Sequence, residues 1–243
     1  YEIIENLSKK NLISKLSSFD GMTLRRGKID AEILEKCKNL KVISRHGVGY
    51  DNVDTKFLKK NNITLLITAT TTAVSPAEHI MFMVLNISKG IDLYDKAVRS
   101  GKFDSIMHMK NNNNFELANK TILIVGFGRI GRKLIKRCLG FEMKVYAYDP
   151  FVDQKTIESF GGIKIDELNV GLKKADILSL SVPLTEETHN MINLEKMRMM
   201  KKSAVIINTS RGSVINEKDL NEALNEGIIY GAGLDVFEKE PPD

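Results

Sequence analysis

TILIVGFGRIG, residues 121–131, is the stretch from which the rest of the chain can be read. Five apolar or β-branched residues, Thr121 to Val125, run straight into a Gly-x-Gly-x-x-Gly turn. Apolar residues then recur at Ile130, Leu134, Ile135 and Leu139, the spacing of one helix face. A second strand-like run, KVYAYD, ends in Asp149, eighteen positions after Gly131. This is the strand–turn–helix–strand context that a dinucleotide fingerprint requires. Gly126 permits the tight turn, Gly128 lets the backbone approach a pyrophosphate, and Gly131 lets helix and strand pack closely. The helix N-terminus offers free N–H groups and partial positive charge to phosphates. Asp149 can accept hydrogen bonds from both hydroxyls of an adenosine ribose, and its charge repels a 2′-phosphate. NAD is therefore the expected cofactor, in preference to NADP.

The composition agrees with a soluble globular protein. Of 243 residues, 42% are hydrophobic and 28% charged, enough for one large domain or two small ones. The net charge of +5 comes from lysines spread along the chain without a dense basic block, so no nucleic-acid partner is expected. No apolar run reaches the length of a membrane span, and no membrane partner is expected. Cys37 and Cys138 are far apart, each in an amphipathic helix-like run. Buried thiols in a reducing cytoplasm account for them, with neither a disulfide nor a metal site.

On the N-terminal side, strands and helices alternate as in a parallel sheet. YEIIEN reads as a strand, KKNLISKLSSF as a helix, GMTL as a strand and AEILEKC as a helix. LKVIS is the next strand, TKFLKKN a helix and ITLLIT a strand. Between them RHGVGYDNVD, 45–54, is a glycine-rich loop suited to presenting backbone N–H groups. At Ser75 the character changes. SPAE reads as a capping box, with Ser75 as N-cap, Pro76 at the first helical position and Glu78 reaching back. IMFMVLNI is apolar on every side, so that helix is expected to be buried all round. Residues 99–119 read as a polar loop, and the four asparagines 111–114 as a solvated insertion.

On the C-terminal side, ADILSLSV, SAVIINTS and GIIYGAGLDVF read as strands. Helical periodicity appears at 193–200, and NEKDLNEALNEG is a helix with Asn216 as N-cap and Gly227 just past its end. The fold class is therefore α/β in two domains. A doubly wound parallel-sheet (Rossmann) NAD domain occupies 74–243, beside a smaller, flavodoxin-like α/β substrate domain over 1–73. Ligands in such sheets bind outside the carboxyl ends of the strands. By role, Arg211 can hold the carbonyl oxygen and carboxylate of an α-keto acid in a two-pronged contact. The N–H groups around Val48 and Gly49 can form a nest for a carboxylate. Asp235 can accept from a nicotinamide carboxamide, and Glu240 can orient a histidine and raise its pKa. Each has a plainer reading as well, since an arginine after a strand often serves a surface salt bridge and a loop glutamate is often only solvated.

RHGVGYDNVD, GFGRIG with Asp149, VPLTEETHNMIN, NTSRG and LDVFEKEP stand here in the order typical of the D-isomer-specific 2-hydroxyacid dehydrogenases, and nearly the whole chain resembles that family. The resemblance implies hydride transfer between NAD and a D-2-hydroxy acid. It implies that Arg211 is the substrate-binding catalytic arginine, Glu240 the glutamate of a Glu–His pair and Asp235 the nicotinamide-side aspartate. It places the pyrophosphate at Arg129 and Ile130, the adenine pocket at Val182 and Pro183, and further cofactor contacts at Thr188 and Thr209. Val48 and Gly49 match the carboxylate loop. Homodimers through the helix that begins at Ser75 are also implied.

Arg25 and Arg45 match positions that hold a distal phosphate, which points to 3-phosphoglycerate as substrate. Arg26 is adjacent to Arg25 and competes for that role. Hydroxypyruvate, glyoxylate and sulfolactate remain open, as does a non-catalytic NAD-sensing interaction protein on the same fold. Two departures stand out. The family's catalytic histidine follows a proline beyond the Glu-Pro, and the sequence stops at Asp243 before that point. His46, His79, His108 and His189 are not expected to replace it. Thr72 stands where many relatives carry an asparagine. A start at Tyr1 without methionine and a stop just after Pro-Pro suggest a fragment whose substrate domain is incomplete, its C-terminal part being absent.

Overall fold

In a computed structural model, which describes residues 1–68, 73–107 and 114–242, the chain divides into two compact units, Tyr1–Thr72 and Ala73–Asp243. The first contains α1 (Lys9–Leu16), β1 (Gly21–Leu24), α2 (Ala31–Lys36), β2 (Val42–Arg45), α3 (Thr55–Lys60) and β3 (Thr64–Ile67). The strands are parallel, in the order β1-β2-β3, with Leu24 opposite Arg45 and Arg45 opposite Ile67. Asp30 and Asp54 cap α2 and α3 by accepting from the N–H groups of Ile33 (3.2 Å) and Phe57 (2.9 Å). Leu12, Leu16, Ile33, Leu34, Ile43 and Leu58 fill the core.

YEIIEN does not form the expected strand; residues 1–8 have no regular secondary structure. Only Ile4 of its apolar residues packs on the core, while Tyr1 and Ile3 are exposed and Glu2 pairs with Lys15 on α1 at 2.6 Å. A run that buries so little apolar surface gains little from joining the sheet.

The second unit opens with α4 (Val74–Lys89), α5 (Ile91–Arg99) and α6 (Phe103–Met107). Then follow β4 (Thr121–Val125), α7 (Arg129–Gly140), β5 (Lys144–Tyr148), α8 (Gln154–Ser159), β6 (Ile163–Lys164) and α9 (Leu168–Lys174). The last elements are β7 (Ile177–Leu180), α10 (Leu194–Arg198), β8 (Val205–Asn208), α11 (Glu217–Asn225) and β9 (Gly231–Leu234). All six strands are parallel, in the order β6-β5-β4-β7-β8-β9. The order reverses at β4, where β5 lies on one side and β7 on the other. That is the switch point of a doubly wound sheet, and it opens a crevice at the strands' carboxyl ends.

Alternate residues of β4 serve opposite layers, which explains why its sequence is apolar throughout. Ile122 and Ile124 pack with α4 and α7 through Ala77, Ile80, Leu134 and Ile135. Leu123 and Val125 pack with Leu172 of α9, Met197 of α10 and Leu220 of α11. Burial pushes the Cys138 thiol up to about 12, and Cys37 is buried and free as well.

Two expectations about the first helix of this unit are corrected. It begins at Val74 with Ala73 as N-cap, and no side chain caps it, so Ser75 and Pro76 lie inside the first turn. Glu78 turns away from the helix end and pairs with Arg137 of α7 at 2.7 Å, an ion pair that outcompetes the capping box. Nor is the helix buried all round: Ala77, Ile80, Met81 and Val84 are buried, whereas Phe82 is 56% exposed. Regular structure also occurs where a polar loop was expected, at α6. Thr72, His108 and Asn111 to Asn113 lie outside the described residues.

Candidate functional site

The glycine turn takes the geometry its sequence demands. Gly126 has φ +94°, and a Cβ there would lie 2.5 Å from the Ser181 carbonyl oxygen. Gly131 faces the turn itself, since a Cβ would lie 2.6 Å from the Gly126 carbonyl oxygen. Gly128 is the N-cap of α7, and a Cβ there would meet no protein atom within 4 Å. The N–H groups of Arg129, Ile130 and Gly131 fall in the first helical turn, which has no preceding helical carbonyls to accept them. Exposed Arg129 and half-buried Ile130 therefore flank an open space lined by N–H donors at the positive end of a helix.

Asp149, just past β5, accepts from two backbone N–H groups: Phe127 to Oδ2 at 2.8 Å and Phe151 to Oδ1 at 2.9 Å. It is half-buried, and each oxygen keeps lone-pair capacity for a further donor. The carboxylate thus ties the glycine turn to the end of the neighbouring strand.

The ends of β7 and β8 lie side by side, because Leu180 pairs with Asn208. Just beyond that register, Ser181 Oγ and Thr209 Oγ1 are buried without a hydrogen-bond partner among the described residues. Buried hydroxyls in that state mark a place where a polar ligand or water completes the structure. Val182 is half-buried and Pro183 exposed. Thr188 closes its own loop, its hydroxyl donating to the Pro183 carbonyl at 2.6 Å and accepting from the Thr185 N–H at 2.8 Å.

Arg211 stands on a braced turn. Asn208, 1% exposed, donates from Nδ2 to the Arg211 carbonyl at 2.9 Å. Its Oδ1 accepts from the Ser210 N–H at 3.0 Å and the Ser210 hydroxyl at 2.8 Å. Gly212 then lets the chain pass the 237–238 peptide so closely that a Cβ would fall 1.9 Å from the Phe237 carbonyl carbon. Asn208, Ser210 and Gly212 were not singled out from the sequence. An Asn at a strand end with Ser two residues on is an Asx-turn signature that could have marked the first two. The Asp235 N–H donates to the Asn208 carbonyl at 3.0 Å, and Asp235 Oδ1 lies 3.4 Å from His79 Nε2. Glu240 is exposed, its Oε1 accepting from the Phe237 N–H at 3.3 Å.

In the small unit, Arg45 lies at the carboxyl end of β2 and donates from Nη1 to the carbonyls of Leu24 (3.3 Å) and His46. Arg25 follows β1 directly and is exposed; it lines, with Arg26, a concavity of about 980 Å³ between residues 1–7 and β1. Gly47 is fixed on both sides by Thr68, whose hydroxyl accepts from the Gly47 N–H at 2.7 Å and whose N–H reaches the Gly47 carbonyl at 3.2 Å. That clamp, another feature sequence reasoning missed, holds the start of the loop in which Val48 is 40% exposed and Gly49 follows. Among the described residues no cluster of histidine, cysteine and carboxylate side chains is arranged to hold a metal ion.

Within the large unit the glycine turn, Asp149, the orphaned hydroxyls and the Arg211 turn all lie at the carboxyl ends of strands of one sheet, and the donors and acceptors they present suit a dinucleotide in chemistry. Comparison with known proteins agrees. Residues 81–243 match the model of the D-isomer specific 2-hydroxyacid dehydrogenase NAD binding domain. The chain is 38% identical over 242 residues to D-3-phosphoglycerate dehydrogenase of Methanocaldococcus jannaschii, covering 99% of this chain and 45% of that protein. It thus spans about half the length of that relative. It is also 38% identical to hydroxypyruvate reductase of Thermotoga maritima, over 98% of this chain and 76% of the relative. Among solved structures, D-lactate dehydrogenase from Aquifex aeolicus, complexed with NAD and lactic acid, superposes with a TM-score of 0.87 at 33% identity, over 94% of this chain and 67% of that one. The chain belongs to the D-isomer-specific 2-hydroxyacid dehydrogenase family and carries its NAD-binding domain.

Proposed function

We propose that this chain forms the cofactor site and part of the substrate site of an oxidoreductase that moves hydride between NAD and C2 of a D-2-hydroxy acid, with 3-phosphoglycerate and 3-phosphohydroxypyruvate as the substrate pair. The observation that carries the reading is Arg211, set on a braced turn at the same sheet edge as the glycine turn and Asp149. When bound, NAD supplies the hydride acceptor at its nicotinamide ring. The N–H groups of α7 hold the pyrophosphate, with Arg129 and Ile130 at its edge. Asp149 takes the ribose hydroxyls, Val182 and Pro183 flank the adenine, and Thr188 and Thr209 complete the walls. Asp235 accepts from the carboxamide. Arg211 polarises the C2 oxygen, and Glu240 serves as the carboxylate of a Glu–His pair. Val48 and Gly49 receive the substrate carboxylate.

Asp149→Ser tests the cofactor assignment. Removing the charge is expected to weaken NADH binding about tenfold, the scale of a lost charge-assisted hydrogen bond. NADPH binding should weaken less or improve. Fluorescence titration with both cofactors reads the ratio, and an unchanged ratio would remove Asp149 from ribose recognition.

Arg25 and Arg45 support the phosphorylated substrate, as paired cations suited to a phosphate. The relatives' names divide between phosphoglycerate dehydrogenase and glyoxylate or hydroxypyruvate reductase, and Arg45 is engaged with two backbone carbonyls. Hydroxypyruvate or glyoxylate is therefore the second reading. NADH formation by the full-length protein should be measured with 3-phosphoglycerate, D-glycerate, D-lactate and sulfolactate, along with reduction of hydroxypyruvate and glyoxylate. Arg45→Ala is expected to lower kcat/KM for the phosphorylated acid about 10²-fold and to change the unphosphorylated acids little. Equal activity of both proteins on every acid would overturn the phosphate pocket. Binding of NADH with no turnover of any acid would favour a sensor.

Phe82, Ile91, Leu93 and Val98 expose apolar surface on α4 and α5, which supports self-association through α4 as a homodimer. Free Cys37 and Cys138 support residence in the cytoplasm. Among the described residues no helix is long and apolar enough to cross a membrane.

A further inference from the structure

His79 is a residue for which the sequence offers no role. It sits in the first half of α4, a helix packed against β8 and β9. The packing is close, since a Cβ on Gly233 of β9 would lie 3.1 Å from Met83 Cβ. One turn after His79, Phe82 stacks on the imidazole with ring centroids 5.8 Å apart and planes at 16°, which restricts the ring's orientation. The Nε2 of that ring lies 3.4 Å from Asp235 Oδ1. Asp235 is held from its other side, its N–H donating to the carbonyl of Asn208, the residue that also braces the Arg211 turn.

We propose that His79 is a positioning residue for the nicotinamide end of the site. Its Nε2–H engages Asp235 Oδ1 and so turns Oδ2 toward the amide hydrogens of the carboxamide. The inference rests on Asp235 being the carboxamide acceptor. An exposed His–Asp pair by itself contributes little to stability. Here, however, the stacked ring, the close helix–strand packing and the fixed backbone of Asp235 determine where the carboxylate oxygens stand, and that matters for a ligand.

The test compares two ligands that differ only at the contact in question. Oxidised NAD carries the carboxamide; 3-acetylpyridine adenine dinucleotide carries a methyl ketone there and has no N–H to donate. Affinities of both are measured calorimetrically for the protein and for His79→Ala, His79→Gln, Asp235→Ala and the double variant His79→Ala/Asp235→Ala, with thermal unfolding recorded for each. His79→Ala is expected to weaken NAD about fivefold to tenfold and the ketone analogue less than about twofold. Asp235→Ala should show the same selectivity, the double variant should add nothing further, and His79→Gln, which keeps an N–H donor, should recover most of the NAD affinity. Equal weakening of both ligands by His79→Ala would overturn the proposal in favour of a structural role. No effect of His79→Ala, with Asp235→Ala selective for NAD, would overturn it while leaving the Asp235 assignment intact. Loss of selectivity in Asp235→Ala itself would overturn the carboxamide reading and this inference with it.

Discussion

Gly212→Ala is expected to damage both the stability and the chemistry of this protein more than any conservative change elsewhere in the site. The added Cβ would stand 1.9 Å from the Phe237 carbonyl carbon, 2.2 Å from the Glu238 nitrogen and 2.3 Å from the Phe237 oxygen. All three are backbone atoms, so no side chain can swing aside, and the 237–238 peptide has to move. Overpacking of this kind typically costs about 1–3 kcal/mol, and rigid backbone places it at the upper end. The midpoint of thermal unfolding should fall by about 5–10 °C. Arg211 precedes Gly212, and Asp235 and Glu240 flank the displaced peptide, so three candidate site residues lose their register together. A displacement of about 1 Å costs on the order of 10² in turnover, to be measured on the full-length enzyme. Gly140→Ala is the control, because a Cβ there meets nothing within 4 Å. Equal melting of the two variants would refute the close approach.

Gly126→Ala should weaken cofactor binding strongly by a different route. The backbone at φ +94° is strained for any residue with a Cβ, at about 1–3 kcal/mol, and that Cβ would also collide with the Ser181 carbonyl oxygen at 2.5 Å. The turn has to rearrange, which displaces the N–H groups of α7 from the phosphates. NADH affinity is expected to fall by about 10²-fold or more, with a lower unfolding midpoint. Gly128→Ala makes the contrast informative. Its Cβ meets no protein atom, so stability should hold, yet NADH affinity should still fall if the open space there belongs to the pyrophosphate. Fluorescence titration and thermal unfolding on both variants separate strain in the protein from collision with the ligand. Wild-type affinity in Gly128→Ala would place the pyrophosphate elsewhere.

The fold around the candidate cofactor site was legible because its determinants are local. A strand buried on both faces, a glycine turn, a helix and an acid at the end of the next strand fall within Thr121–Asp149, and each leaves its own pattern in the sequence. Where two local rules competed, or the decisive partner was distant, the sequence was silent or misleading. SPAE satisfies the capping-box pattern, yet Glu78 finds Arg137 on a neighbouring helix, and the helix begins two residues earlier without a side-chain cap. YEIIEN has strand-like composition but buries too little to join a sheet. IMFMVLNI is apolar on all sides, and the exposure of Phe82 depends on what lies opposite it in the fold. Little in the sequence announces α5, α8 and α9: α5 follows Gly90 and α9 follows Glu167 without a side-chain cap, and α8 has only six residues. Around Arg211 the sequence named the arginine but not its framework, because the Asn208 side-chain bonds and the pass of Gly212 beside Phe237 exist only once the chain is folded. Arg45 illustrates the same limit: its charge was visible, but its contacts with Leu24 and His46 were not.

Binding of NAD at the switch point of the six-stranded sheet, read by Asp149 and by the first turn of α7, is the assignment on which the other proposed roles depend. It is tested most directly by titrating the purified protein with NADH and with NADPH and following nicotinamide fluorescence. Saturable binding of NADH at one site per chain is expected, with at least about tenfold weaker binding of NADPH. Failure to bind NADH, or a preference for NADPH, would contradict it.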